Sequence, residues 1–207
     1  KVEGGPRISY GLKWGVYGQG GGKSSFFIGQ SWRPKSDTKS FAIGSGLEEK
    51  FSDIVARAHI SPGSHLNLLY RTRFAKDTLS PRRNELAFNA SVPYTPITVG
   101  ANYVFIETQE DSEFSGREEI NYSASSTLFN KNWRLSLSGI TDLEAGETRT
   151  IASTLTYHNE CVTVSAVATR AFFSDRDLEP EDKVTLNLTL KNLGEFTTGT
   201  ISSKSGE

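Results

Sequence analysis

Lys183-Val184-Thr185-Leu186-Asn187-Leu188-Thr189-Leu190-Lys191 alternates without a break between polar and apolar side chains. Successive side chains on a β-strand point to opposite faces, so Val184, Leu186, Leu188 and Leu190 share one side and the lysines, threonines and Asn187 share the other. The same division sets Leu66, Leu68, Tyr70 and Phe74 against His65, Asn67, Arg71 and Arg73, and Leu86, Phe88, Ala90 and Val92 against Glu85, Asn89 and Ser91. Ile120, Tyr122, Ala124 and Leu128 repeat it. Such runs predict about eleven strands, at 7–17, 23–32, 53–60, 65–75, 83–92, 97–107, 118–128, 133–142, 148–158, 161–173 and 183–191. Ordinary strands average about 5–6 residues, whereas a tilted strand that crosses a bilayer needs about 9–11. Most of these runs have the second length.

Composition bounds the surroundings. The 207 residues carry a net charge of -1, so there is no basic footprint for nucleic acid. No run approaches the roughly 18–20 consecutive apolar residues of a membrane helix. A hydrophobic fraction of 36% is modest for a packed soluble core. It suits a barrel whose apolar face meets lipid, whose lumen holds Thr, Ser, Asn, Arg and Lys, and whose closure satisfies the backbone. The absence of Met, position 1 included, reads as a processed or excised chain.

The connections are expected to sort by length. Tight turns are expected at 18–22, 61–64, 93–96, 129–132 and 159–160, and generally longer, more charged links at 33–52, 76–82, 108–117, 143–147 and 174–182. Short and long alternate, as in an up-and-down outer-membrane barrel with short periplasmic turns and longer outer loops. Aromatics fall beside both kinds. Tyr17, Phe26, Tyr94, Phe129, Trp133 and Tyr157 lie by the short turns, and Trp32, Phe74, Phe105, Phe172 and Phe173 by the longer loops, so two aromatic girdles are expected. The fold expected is all-β, an antiparallel up-and-down transmembrane β-barrel. Bacterial single-chain barrels have even strand numbers, so an odd count reads as part of a larger one. Residues 1–195 are assigned to it and 196–207 to a polar C-terminal tail.

Several motifs have plain readings. Gly18-Gln19-Gly20-Gly21-Gly22-Lys23-Ser24 ends like a phosphate loop, but Tyr17 stands where the pattern needs Gly and a strand follows where it needs a helix, so it is a turn. His59 and Ser61 share a face and have the residue types of a lipase pair. A nucleophilic serine also needs a base in reach and a group to orient that base, and Ser61 opens the turn Ser61-Pro62-Gly63-Ser64. No enzyme activity, cofactor or metal site is expected. The acidic residues Glu107, Glu110, Asp111, Glu113, Glu118 and Glu119, with Asp175, Asp177, Glu179, Glu181 and Asp182, read as solvated loop tips, since no spacing matches a calcium loop. Cys161 is the single cysteine; it is either a small buried residue or, in an oxidising compartment, paired with a cysteine elsewhere.

Three stretches carry a family likeness: Tyr157-His158-Asn159-Glu160-Cys161-Val162-Thr163-Val164, Phe172-Phe173-Ser174-Asp175-Arg176-Asp177-Leu178, and Leu190-Lys191-Asn192-Leu193-Gly194-Glu195. With Leu68-Leu69-Tyr70-Arg71 and the strand from Ile97 to Phe105, they resemble the C-terminal barrel of the LptD family in its alphaproteobacterial form. The resemblance implies a protein of the cell outer membrane that takes lipopolysaccharide from a periplasmic bridge and inserts it into the outer leaflet. It implies an LptE-like lipoprotein plug in the lumen, and contact with the bridge through an N-terminal domain outside this sequence. It implies that Cys161 forms a disulfide with that domain. It implies a barrel that opens sideways between its end strands, with Lys183 to Lys191 as the C-terminal side of the gate. Two rival readings stand beside it: a general porin or other barrel transporter, which would share the periodicity, and a soluble carbohydrate-binding or sandwich protein, which would have shorter strands and a packed apolar interior.

Overall fold

Strands make up nearly all the regular backbone: β1 (Ile8–Tyr17), β2 (Lys23–Trp32), β3 (Ile54–Ser61), β4 (Leu66–Phe74), β5 (Pro81–Ser91), β6 (Ile97–Ile106), β7 (Arg117–Leu128), β8 (Trp133–Asp142), β9 (Glu147–His158), β10 (Val162–Ala171), β11 (Glu181–Leu190) and β12 (Gly194–Lys204). The computed structural model describes residues 6–36, 40–42, 44–108, 116–128, 131–172, 180–191 and 194–204; among these there is no helix. The strands form one sheet in sequence order, β1 to β12, each hydrogen-bonded to its chain neighbour. The registers are antiparallel from β1 to β4 and from β8 to β12. The chain is therefore all-β and an up-and-down meander.

All eleven expected strands are present, each within two residues of its expected ends. The tail is a correction: Gly194–Lys204 is not a polar extension but β12, paired along β11. Its alternation is hidden by a bulge. Leu188 pairs with Phe196 and Val184 with Ile201, because Thr198 faces Leu186, Thr200 faces Thr185, and Gly199 between them is the extra residue. A bulge shifts the side-chain period by one, so two apolar residues of opposite parity come to oppose one apolar row. Among the described residues the strand number is thus twelve, where an odd number was expected.

Among the described residues the connections keep the expected alternation with one exception; the expected links at 108–117 and 174–182 lie largely outside the described residues. Residues 143–146 form a tight turn: Asp142 Oδ1 accepts hydrogen bonds from the Glu144 and Ala145 N–H groups at 3.0 Å each, and Gly146 takes a φ of 69°. Glycine adopts that left-handed conformation without the steric penalty of a Cβ.

Burial is inverted relative to a soluble protein. Among the described residues Ala75 is the one buried hydrophobic, whereas Arg33, Ser52, Asp53, Thr72 and Glu119 are buried. The large apolar side chains stay open on alternate positions, with Leu12 66%, Leu137 49% and Leu186 47% exposed. A sandwich would bury these residues against a second sheet. Such extensive exposed apolar surface has a physical explanation when hydrocarbon covers it.

Backbone contacts divide the chain into two units: residues 1–89 with 102–119, and residues 90–101 with 120–207. In the first, one face of the sheet carries Tyr10, Leu12 and Trp14 on β1, Phe26 and Ile28 on β2, Ala56 and Ala58 on β3, and Leu68 and Tyr70 on β4. The other face carries Lys13, Phe27, Arg57 and Arg71 in one cross-strand row. In the second unit, Leu135, Leu155, Ala166 and Leu186 form an apolar row. Arg134, Thr156, Ser165 and Asn187 form the adjacent polar row.

Candidate functional site

The polar face of the first unit holds the densest charge. Alternation brings Phe27 of β2, Val55 and Arg57 of β3, Arg71 and Arg73 of β4, and Arg83 and Glu85 of β5 onto one wall, around an open cavity of about 550 Å³. Phe27 forms part of its floor. Gly11 and Gly29 are cross-strand partners, and a Cβ on either would lie 2.9 Å or 2.7 Å from the Phe27 ring. Glycine at both positions lets the ring lie flat along the sheet.

The cations differ in what holds them. Glu85 accepts from Arg71 Nη1 at 3.1 Å and from Arg83 Nε at 2.6 Å, bracing both guanidiniums. Arg73 reaches instead to the long link between β2 and β3, donating to the Ser45 carbonyl at 2.6 Å and the Gly44 carbonyl at 3.0 Å. Its Nε also lies 3.5 Å from Asp53, which is 3.5 Å from Arg82 as well. Among the described residues Arg57 makes no hydrogen bond or ion pair, although its direct cross-strand partner is Arg71. Like charges so placed repel.

The link itself is pinned over the strand ends. Trp32 bridges to Phe51, Arg33 lies over the Phe41 ring at 4.3 Å, and Lys76 pairs with Glu49 at 3.0 Å. Burial pushes the Asp53 carboxyl above its usual range, outweighing the pull of Arg82 and Arg73. For Glu48 burial also acts upward, but donation from its own N–H, the Gly44 N–H and the Ser45 hydroxyl wins and holds its carboxyl low.

The second unit's polar face is hydroxyl-rich and sparsely charged. The rows His158–Thr163–Thr189 and Thr156–Ser165–Asn187 run across β9, β10 and β11. His158 Nδ1 and the Thr163 hydroxyl are 2.9 Å apart. This surface offers many hydrogen-bonding groups and few fixed charges, which suits neutral polar ligands such as sugars.

The residues singled out from sequence fall as follows. Lys183 to Lys191 form most of β11 with the first residue of the next turn, but β11 is paired on both sides, with β10 and β12. The expectation that it is an end strand is therefore corrected; the last strand described is β12. Cys161 is an exposed free thiol in the β9–β10 turn, whose Asn159 Oδ1 accepts from the Cys161 N–H at 3.0 Å and the Val162 N–H at 2.8 Å. Of the aromatics, Tyr17, Trp32, Phe74, Phe105, Trp133 and Tyr157 stand at or beside strand ends, and Tyr94 and Phe172 lie in connections. Trp133 and Tyr157 are cross-strand partners with ring centroids 5.0 Å apart. Phe129 and Phe173, with Glu110, Asp111, Glu113, Asp175, Asp177 and Glu179, lie outside the described residues. Ser61 donates to the Gly63 carbonyl at 3.1 Å within its own turn. The arginine wall was not singled out from sequence; the available signal was Arg57, Arg71, Arg73, Arg83 and Glu85 recurring at polar positions of three consecutive strands.

Comparison with known proteins adds the family. No curated protein matches the chain. Among solved structures, a triple mutant of the Rhodopseudomonas blastica porin superposes with a TM-score of 0.49 at 12% identity, covering 96% of this chain and 85% of that one. A second mutant of that porin gives a TM-score of 0.48 at 11% identity over 96% and 85% of the two chains. The family model "LptD: LPS transport system D" matches residues 1–136, which include the arginine wall and the strand from Ile97 to Phe105 but not the Cys161 region. The chain therefore belongs to the LptD family and is a β-barrel-class outer-membrane protein of lipopolysaccharide transport.

Proposed function

We propose that the chain forms part of a translocon that inserts lipopolysaccharide into the outer leaflet of the outer membrane. The observation that carries this is the sorting of its two faces. In each unit apolar residues are left open on one face, Leu12 in the first and Leu137 and Leu186 in the second, while arginines line the other face of the first unit and hydroxyl-bearing residues that of the second. Lipopolysaccharide is itself divided into acyl chains and a polar, phosphorylated sugar portion. The polar faces take the sugar portion, and the acyl chains leave into lipid between end strands that separate.

No bond in the substrate is made or broken in this reading, so no catalytic residue is assigned. Within this chain the strand offered to the sideways opening is β12, the last one described. An LptE-like lipoprotein supports the lumen, and a periplasmic bridge delivers the substrate through a domain beyond this sequence. In this reading Cys161 pairs with a cysteine outside this chain, which its exposure in the turn supports.

Photocrosslinking in intact cells tests the reading. A photoreactive residue at Arg57, Thr154 or Thr156 should capture lipopolysaccharide, and one at Leu137 or Leu186 should capture bulk phospholipid. No capture of lipopolysaccharide from the polar faces contradicts the proposal. A large steady ion current through the full-length protein with its lipoprotein partner bound also contradicts it.

A further inference from the structure

We propose that the wall centred on Arg57 is a binding site for an acidic sugar, whose phosphate or carboxylate is held by the Arg57 guanidinium while its ring lies on Phe27. The inference rests on the reading of this face as the hydrated path of lipopolysaccharide and names where on it the substrate pauses.

The cavity is lined by Arg57, Arg71, Arg73 and Arg83 and by a single carboxylate, Glu85. Glu85 is shared between Arg71 and Arg83, and Arg73 is committed to Asp53 and to the carbonyls of Gly44 and Ser45. Among the described residues Arg57 is left without an anion. It stands directly across from Arg71, at a spacing of about 4.5–5.5 Å between Cβ atoms for such pairs. A sheet that places two arginines opposite one another without an intervening carboxylate breaks a local rule, and such breaks gather where a ligand supplies the missing partner. A guanidinium presents a planar fork of donors that suits phosphate and carboxylate oxygens.

The floor supplies the second half. Phe27 is the direct cross-strand neighbour of Arg57 on its other side, so the ring and the free guanidinium share one row. Its ring lies over Gly11 and Gly29, which keeps it down along the sheet and leaves it on the cavity side. A flat apolar ring beside a fork of donors fits the C–H face of a sugar with an anionic substituent. Glu85 occupies the donors of Arg71 and Arg83 in the absence of ligand, and an arriving anion competes with it for Arg71.

The test is a binding titration on the full-length protein with its lipoprotein partner in detergent, using glucose 1-phosphate, glucuronate, glucose and inorganic phosphate as probes. The expected result is at least tenfold tighter binding of one or both acidic sugars than of glucose. Arg57→Ala should abolish that preference, and Arg57→Lys should restore part of it. Phe27→Leu should weaken the acidic sugars while leaving inorganic phosphate unchanged. Preference for the phosphate identifies a phosphorylated sugar, and preference for glucuronate a sugar acid. Retained heat-modifiable migration on gels confirms that each variant is folded. Glucose binding as well as the acidic sugars, or Arg57→Ala binding them unchanged, overturns the site. Lipopolysaccharide crosslinking at Thr154 alongside that negative result would leave the transport reading standing and the site refuted. Arg57-dependent probe binding without any lipopolysaccharide crosslinking would support the site and refute transport.

Discussion

Leu137→Arg separates a lipid-facing surface from a water-facing one by magnitude alone. Leu137 is the fifth residue of the ten in β8, and its side chain is 49% exposed beside Ser153 of β9. At about 3.4 Å per residue β8 is about 34 Å long, and a tilt of about 45° gives it a height near 24 Å, close to the apolar band of about 25 Å seen in outer-membrane barrels. Leu137 therefore sits near the midplane. Were that face in water, replacing a half-exposed leucine by arginine would change stability by less than about 0.5 kcal/mol. In hydrocarbon the same change costs about 2–4 kcal/mol. Ser136→Arg, one residue away on the polar face opposite Thr154, is the internal control and should cost less than about 0.5 kcal/mol. The assay is reversible denaturant unfolding of the full-length protein in phospholipid vesicles. Equal costs for the two substitutions, or a cost below about 0.5 kcal/mol for Leu137→Arg, would refute the assignment of faces.

Two further outcomes follow from local geometry. A Cβ on Gly139 would lie 2.4 Å from the Tyr122 ring, so Gly139→Ala should destabilise by about 1–3 kcal/mol in the same unfolding assay, and Gly139→Ala with Tyr122→Ala should recover part of it. Asp53 and Glu48, in the link between β2 and β3, should give pH dependences of opposite sign. Asp53, raised by burial, contributes stability that is full below the ordinary carboxylate range and is lost as pH rises through its folded value. Glu48, held low, contributes stability that is present above that range and lost as pH falls through its folded value. Relative to wild type, Asp53→Asn should therefore gain stability as pH rises from the acid side, and Glu48→Gln should gain as pH falls. Thermal unfolding of the three proteins across the acid range measures both slopes, and slopes of the same sign would contradict the described contacts.

The meander was legible because a membrane strand with one wet and one apolar face writes its period directly into the sequence. Val184 to Leu190 shows this, as do Leu66 to Phe74 and Leu86 to Val92, whereas Phe27 and Val55 fall on the polar face and break the period in their strands. β12 was not legible, since Gly199 inserts a residue and puts Phe196 and Ile201 out of step although both oppose apolar partners. Residues 143–146 misled for a different reason: charge suggested a loop, while the Asp142 side chain and the left-handed Gly146 close a tight turn. The functional wall was half legible. The arginines fall at polar positions, but which of them is neutralised depends on cross-strand register, and no local pattern shows that Glu85 braces Arg71 and Arg83 while Arg57 stands apart. The pinning of the link by Arg73 is likewise a long-range contact, to Gly44 and Ser45.

Spin labels placed one residue at a time from Trp133 to Asp142 and from Glu147 to His158, in a Cys161→Ser background and in native-like bilayers, test the central claim most directly. The account predicts that collision with dissolved oxygen peaks at Leu135, Leu137, Ile151 and Leu155, and that collision with a water-soluble nickel reagent peaks at Ser136, Ser138, Thr154 and Thr156, with the two profiles alternating in antiphase. Leucine positions shielded from both reagents, as in a dry protein centre, would contradict it.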